Sequence, residues 1–136
     1  MFTRLHRIKQ TLLLALLSLT SPTLFADPEV LVFYNQYCGH CQEFMSHTGN
    51  NYATDAPQYL GNRHPVLRKF DLSMPENMTT YRTMLSKGKI KTRINAVPAF
   101  IVTNNQQTEV ARSIGAMSKD EFYAFVRQSL GQQNTG

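Results

Sequence analysis

The stretch from Pro28 to Phe44 constrains the fold more than any other part of the chain. An apolar run, Val30-Leu-Val-Phe-Tyr34, leads through a polar corner into Cys38-Gly39-His40-Cys41, and a helical pattern follows. An apolar run of this kind suits a strand buried on both faces of a parallel sheet. The two cysteines are the only ones in the protein. They lie where the strand gives way to the helix. A helix N-terminus carries partial positive charge and unpaired N–H groups, which stabilise a thiolate. The thiolate is the form that attacks disulfides. This stretch reads as a redox dithiol.

Residues 1–26 read as a secretory signal peptide. Arg4, Arg7 and Lys9 make a basic start, and Leu12 to Leu19 is a Leu-rich core that is short for a membrane span. Pro22 breaks it, and Leu24-Phe25-Ala26 places a small residue at the cut site. The alternative is an uncleaved anchor. Cleavage leaves residues 27–136 as one domain of 110 residues, enough for one modest core.

Removing the leader also changes the charge. The whole chain has 14 Lys and Arg against 9 Asp and Glu, but three of the basic residues belong to the leader. The remaining eleven against nine is a net of +2, which on a small domain does not suggest nucleic-acid binding. Two cysteines are too few for a disulfide scaffold, so exchange chemistry explains them better than stapling.

The rest of the chain alternates. Glu29–Asn35 is the first strand, and a helix from near Cys38 to about His47 carries Cys41, Phe44, Met45 and Thr48 on one side. Gly49-Asn50-Asn51 can end it. Pro57, Gly61 and Pro65 interrupt the next stretch, where a short helical piece over Ala53–Leu60 is the only candidate element. Val66–Leu72 alternates as a second strand. Ser73-Met-Pro-Glu76 matches a capping box with Pro in the first turn, and Met78, Tyr81 and Leu85 continue at helical spacing up to Gly88. Lys87, Lys89, Lys91 and Arg93 read as a solvated helix end and loop, with an acidic partner as the sharper alternative. Pro98–Thr103 and Thr108–Ser113 flank a polar turn and read as a hairpin. Ser118-Lys-Asp-Glu121 is a second capping box, opening a helix whose apolar face is Phe122, Phe125, Val126 and Leu130, with Gly131 as its C-cap. The tail 132–136 is polar and expected to be disordered. The main order is strand, helix, strand, helix, strand, strand, helix: an α/β fold with a four-stranded mixed sheet between helices.

Cys38-Gly39-His40-Cys41 on a strand-to-helix turn, with Val97-Pro98 opening a strand some 57 residues later, resembles the thioredoxin superfamily. The run from Ser113 to Phe122 resembles the last strand, Gly turn and final helix of that fold. The resemblance covers most of residues 29–130 and implies a compact thioredoxin-like fold. It implies that Cys38 is the exposed attacking cysteine and Cys41 the buried resolving one. It implies that Pro98 is a cis-proline facing the dithiol, with the Val97 backbone offered to a substrate segment. Gly39-His40 is the pair found between the cysteines of protein disulfide isomerase. An imidazole at His40 favours the Cys38 thiolate and so makes the disulfide more oxidising. The gap between thioredoxin-like and isomerase-like potentials is about 90 mV, or about 4 kcal/mol for two electrons.

The chain also departs from the family. The buried carboxylate six residues before the first cysteine is replaced by Val32, as in periplasmic disulfide isomerases of the Dsb type. The acceptor for the Cys41 proton is then missing or supplied elsewhere. Tyr37 replaces the usual Trp, and the opening strand and helix of thioredoxin are missing.

The expected activity is thiol–disulfide exchange by an exported oxidoreductase, periplasmic or secreted. It needs no dissociable cofactor, because the Cys38–Cys41 disulfide carries the electrons. Its partners are protein thiols and disulfides of the cell envelope and a membrane redox partner, with no nucleic acid. Within enzymes, a dedicated reductant is the runner-up. The rival class is a chaperone that holds copper or zinc at the two cysteines without redox turnover. His47 fits no standard ligand spacing and reads as a surface helix residue, and His64, before Pro65, reads as a loop residue.

Overall fold

The structure, a computed structural model, describes residues 26–131. The expected leader, save Ala26, and the tail 132–136 lie outside the described residues. No helix among them is long and apolar enough to cross a membrane.

Strand β1 (Glu29–Tyr34) is followed by helix α1 (Gly39–His47), a single 3-10 turn (Gly49–Asn51) and helix α2 (Tyr52–Leu60). Strand β2 (Val66–Asp71), helix α3 (Pro75–Ser86), strands β3 (Ala99–Thr103) and β4 (Glu109–Ile114), and helix α4 (Lys119–Gly131) complete it. The sheet order is β2-β1-β3-β4. β1 runs parallel to β2 and antiparallel to β3, and β3 and β4 form the expected hairpin. The two central strands supply the fully buried apolar runs, Val30 to Phe33 and Ala99 to Val102. The edge strand β2 leaves Val66, Arg68 and Lys69 exposed, and charged side chains on an edge discourage pairing with another chain.

Alternation along β1 divides the core. Val30 and Val32 pack with Phe44 of α1, Tyr52 and Ala56 of α2, and Phe122, Tyr123 and Val126 of α4. Leu31 and Phe33 point the other way, onto Phe70 of β2 and Tyr81 and Met84 of α3. Helices therefore cover both faces, as a sheet with two apolar sides requires.

Three local expectations need correction. The main element order omitted α2, which forms with Pro57 inside it. A proline there removes one helical hydrogen bond, but its ring is exposed, while Tyr52 and Ala56 on the inner side anchor the helix. The capping box at Ser73 does not form. Met74 is the N-cap of α3, and the Ser73 hydroxyl instead donates to Asp71 Oδ1 at 2.7 Å. Finally, Gly131 falls within α4 instead of capping it, and the inner face of α4 adds Tyr123, stacked on Tyr59 at 4.1 Å.

The second box does form. The Glu121 N–H donates to Ser118 Oγ at 3.2 Å, and the Ser118 N–H to Glu121 Oε2 at 3.4 Å. Ser118→Ala is expected to cost about 1 kcal/mol, read as a lower urea midpoint with an unchanged slope.

Candidate active site

Asn35 shapes the corner after β1. Its side-chain oxygen accepts the Tyr37 N–H at 2.9 Å, and its carbonyl accepts the Cys38 N–H at 3.0 Å. This turn delivers Cys38 in an extended conformation as the N-cap of α1. Its carbonyl then accepts the Gln42 N–H at 3.0 Å, closing the first helical bond. Cys41 lies one turn in, on the inner face, and is fully buried. Cys38 is half-buried, and both thiols are free.

The two sulfur atoms have opposite tendencies. The Cys38 thiol is held below its ordinary value, first by a hydrogen bond from the Cys41 side chain, then by the backbone N–H groups of Cys41 and His40. Cys41 is pushed up to about 11, chiefly by burial, then by the Cys38 sulfur. The reduced pair thus favours one thiolate, on the more accessible cysteine. His40 assists through its main-chain N–H, and its ring is exposed.

The sheet brings Val97 and Pro98 to the same end. Phe33 pairs with Ala99, so the two residues before β3 lie where β1 exits toward the dithiol. The Val97–Pro98 peptide bond is cis. The Pro98 carbonyl accepts the Gly115 N–H at 2.8 Å, which ties the β4–α4 turn to this end. Beside the dithiol, an open groove of about 390 Å³ runs between α1 and that turn, lined by His40, Glu43, Phe44, His47, Ala116 and Met117 among others.

Other candidates separate from the site. His64 precedes β2, whose Val66 pairs with Glu29 at the opposite end of the sheet. Its ring pairs with the Gly61 carbonyl at 3.0 Å. His47 is exposed in the last turn of α1. Among the described residues no group of three or more His, Cys, Asp and Glu side chains is placed to hold a metal ion. In the basic stretch, Lys89 is taken up by Glu29 at 2.6 Å, while Lys87, Lys91 and Arg93 are exposed.

Asp71 is the residue that sequence reasoning left without chemistry. It is 8% exposed at the end of β2, opposite Tyr34. Its Oδ1 accepts the Gln36 N–H, the Ser73 N–H and the Ser73 hydroxyl. A lone acid at a strand end was the only signal, and it reads equally well as a cap.

No family model and no curated protein sequence matches the chain. Solved structures do match in fold. The periplasmic thioredoxin SoxS from Paracoccus pantotrophus, in its reduced form, superposes with a TM-score of 0.58 at 18% identity, covering 79% of this chain and 99% of its own. A thioredoxin from Thermus thermophilus gives 0.53 at 20% identity, over 76% of this chain and 74% of its own. Thioredoxin-2 of the malaria parasite gives 0.51 at 20% identity, over 75% and 82%. At these identities the likeness is one of fold.

Proposed function

We propose that this chain, which has the thioredoxin fold, is an exported thiol–disulfide oxidoreductase acting on protein substrates. The observation that carries the reading is the asymmetric dithiol: a half-buried Cys38 whose thiol ionises readily beside a buried Cys41 that holds its proton. In the reducing direction the Cys38 thiolate attacks one sulfur of a substrate disulfide. A Cys38–substrate bond forms, and the other substrate sulfur leaves as a thiolate. Cys41 then loses its proton to solvent and attacks Cys38 Sγ, which breaks the Cys38–substrate bond and releases the second substrate sulfur as a thiolate that takes up a proton. The site becomes a disulfide and the substrate a dithiol, so two electrons have moved with no dissociable cofactor. The reverse sequence oxidises a substrate, and relative potentials set the direction.

The groove between α1 and the β4–α4 turn would seat the substrate segment, and the Val97 main chain, at the same end of the sheet, would pair with it. Residues 1–26 act as the export leader in this reading, leaving residues 27–136 in the periplasm or outside the cell. The periplasmic neighbour accords with that location. Envelope proteins are the substrates, and a membrane partner exchanges electrons with the site.

Equilibration against glutathione, followed by thiol counting, tests the reading. Both cysteines should interconvert as one two-electron couple, with zinc or copper leaving the count unchanged. Failure to form the disulfide, or metal-dependent protection of both thiols, would favour the metal chaperone. The same titration on His40→Ala isolates the ring, because the backbone N–H survives. A ring that supports the thiolate makes the mutant disulfide harder to reduce. An unmoved potential assigns the effect to the N–H groups.

A further inference from the structure

The apolar β1 run places no carboxylate beside the dithiol, since Val32 occupies the strand position facing α1. The neighbouring strand supplies one. In the parallel register Val30, Val32 and Tyr34 pair with Leu67, Lys69 and Asp71, so these residues share one sheet face. That face packs against α1, because Val30 and Val32 cluster with Phe44. Asp71 stands at its dithiol end. From there its Oδ1 accepts the Gln36 N–H at 3.3 Å, within the corner that carries Cys38, and Gln42 of α1 donates to the Gln36 carbonyl at 2.6 Å. Oδ1 also accepts the Ser73 N–H at 3.0 Å and the Ser73 hydroxyl at 2.7 Å. Oδ2 takes no hydrogen bond from a described residue.

We propose that Asp71 is a positioning residue for the dithiol, its fixed negative charge adding to burial in keeping the proton on Cys41, so that the reduced site carries its one thiolate at Cys38. This deepens the exchange reading and rests on it. An anion close to a buried thiol disfavours a second anion there, because a low-dielectric surround screens the repulsion weakly. The raised Tyr34 phenol responds to the Asp71 charge next after burial, and the raised Cys41 thiol responds to it after burial and the Cys38 sulfur.

Few other charges compete at this face. At this end of β1 the titratable neighbour is Tyr34; Cys38 caps α1 and Cys41 lies on its inner face, while His40, Glu43 and His47 of α1 are exposed to solvent. On β2, Lys69 turns to Asn50 Oδ1 at 3.4 Å. From α3, Asn77 donates to the Asp71 carbonyl and carries no charge. From β3 and α4, Phe100 and Phe122 are apolar.

The consequence is a gate on the second half of the reaction. The charge slows Cys41 ionisation, lengthens the life of the mixed disulfide, and moves the rise of the resolution rate to higher pH. Asp71→Asn keeps Oδ1 as an acceptor and removes the charge. In the full chain, Cys38 is loaded with a small aromatic thiol as a mixed disulfide, and release of that thiol is followed against pH.

The expected shift of the Asp71→Asn profile is about half a pH unit downward, a roughly threefold larger thiolate fraction at neutral pH. Because nucleophilicity falls with thiol pKa, the net acceleration is roughly twofold. Ser73→Ala, which removes one donor and leaves the charge, should not move the profile. Asp71→Glu, which displaces the charge by one methylene, should shift it in the same direction but less, and it serves if Asp71→Asn does not fold. A profile identical in wild type, Asp71→Asn and Asp71→Glu overturns the proposal and leaves Asp71 a cap of the corner. Failure of wild-type Cys38 to hold or resolve any mixed disulfide overturns the exchange reading itself.

Discussion

Cys41→Ser is expected to accumulate mixed disulfides on Cys38 that persist for minutes to hours, whereas Cys38→Ser should trap almost none. Cys38 remains half-buried at the helix N-terminus, and the His40 N–H still supports its thiolate after the substitution. Attack on a substrate disulfide therefore continues. Resolution cannot, because a serine hydroxyl does not ionise near neutral pH. A well-oriented neighbouring thiol acts at an effective concentration of about 10⁵ M or more. Without it, release falls to uncatalysed exchange with external thiols, on a scale of minutes to hours.

The converse mutant keeps only a fully buried sulfur, whose thiol burial still holds above its ordinary value. Its thiolate is scarce at neutral pH and no substrate reaches it. Non-reducing electrophoresis of envelope extracts reads both outcomes as higher-mass adducts that collapse with reductant. Equal trapping by the two mutants, or more by Cys38→Ser, would reverse the assignment of the nucleophile. Attack has its own pH signature. Its rate should rise with pH and level off below the ordinary thiol value, because the Cys38 thiol is lowered.

Phe44→Ala is expected to remove about 3–5 kcal/mol of stability, a large share of the roughly 5–15 kcal/mol that a domain possesses. Phe44 is 3% exposed and meets Phe100 edge-on at 4.7 Å and Phe122 at 5.2 Å. It joins α1 to the sheet and to α4 in one cluster. Deleting the ring leaves a cavity beneath the dithiol helix, one turn beyond Cys41. Burial is the main cause of the raised Cys41 thiol, so opening that space should lower it toward the ordinary range. A urea melt measures the first effect, and the pH dependence of Cys41 alkylation in a Cys38→Ser background measures the second. An unchanged midpoint would mean that α1 is held by other contacts.

Much of the site was legible because its causes are local. The apolar run of β1, the polar corner and the two cysteines at the start of a helix occupy adjacent positions, and short-range sterics and helix-end electrostatics act over such distances. Ser118 and Glu121 are three residues apart, and their reciprocal bonds formed as the spacing implied. The hairpin was legible for the same reason, since four polar residues separate its arms. Ser73 shows where local pattern fails. Its spacing to Glu76 matched a capping box, yet a stronger acceptor, Asp71, stood two residues away on a strand end and took the hydroxyl. Pro57 fails in the opposite sense. Its penalty is local and bounded, and packing of Tyr52 and Ala56 against α4 and the sheet outweighs it.

The sequence by itself determined the dithiol, its place on a strand-to-helix turn, and the order of most elements, because each depends on residues within a few positions of one another. Only the tertiary structure decided that β1 lies between β2 and β3, that Tyr34 faces Asp71, and that Pro98 closes the same end of the sheet as Cys38. Those relations depend on strand register, and register follows from how two apolar faces pack across long stretches of chain. A shift of one residue in β2 would turn Asp71 to the α3 side and take its charge away from Cys41.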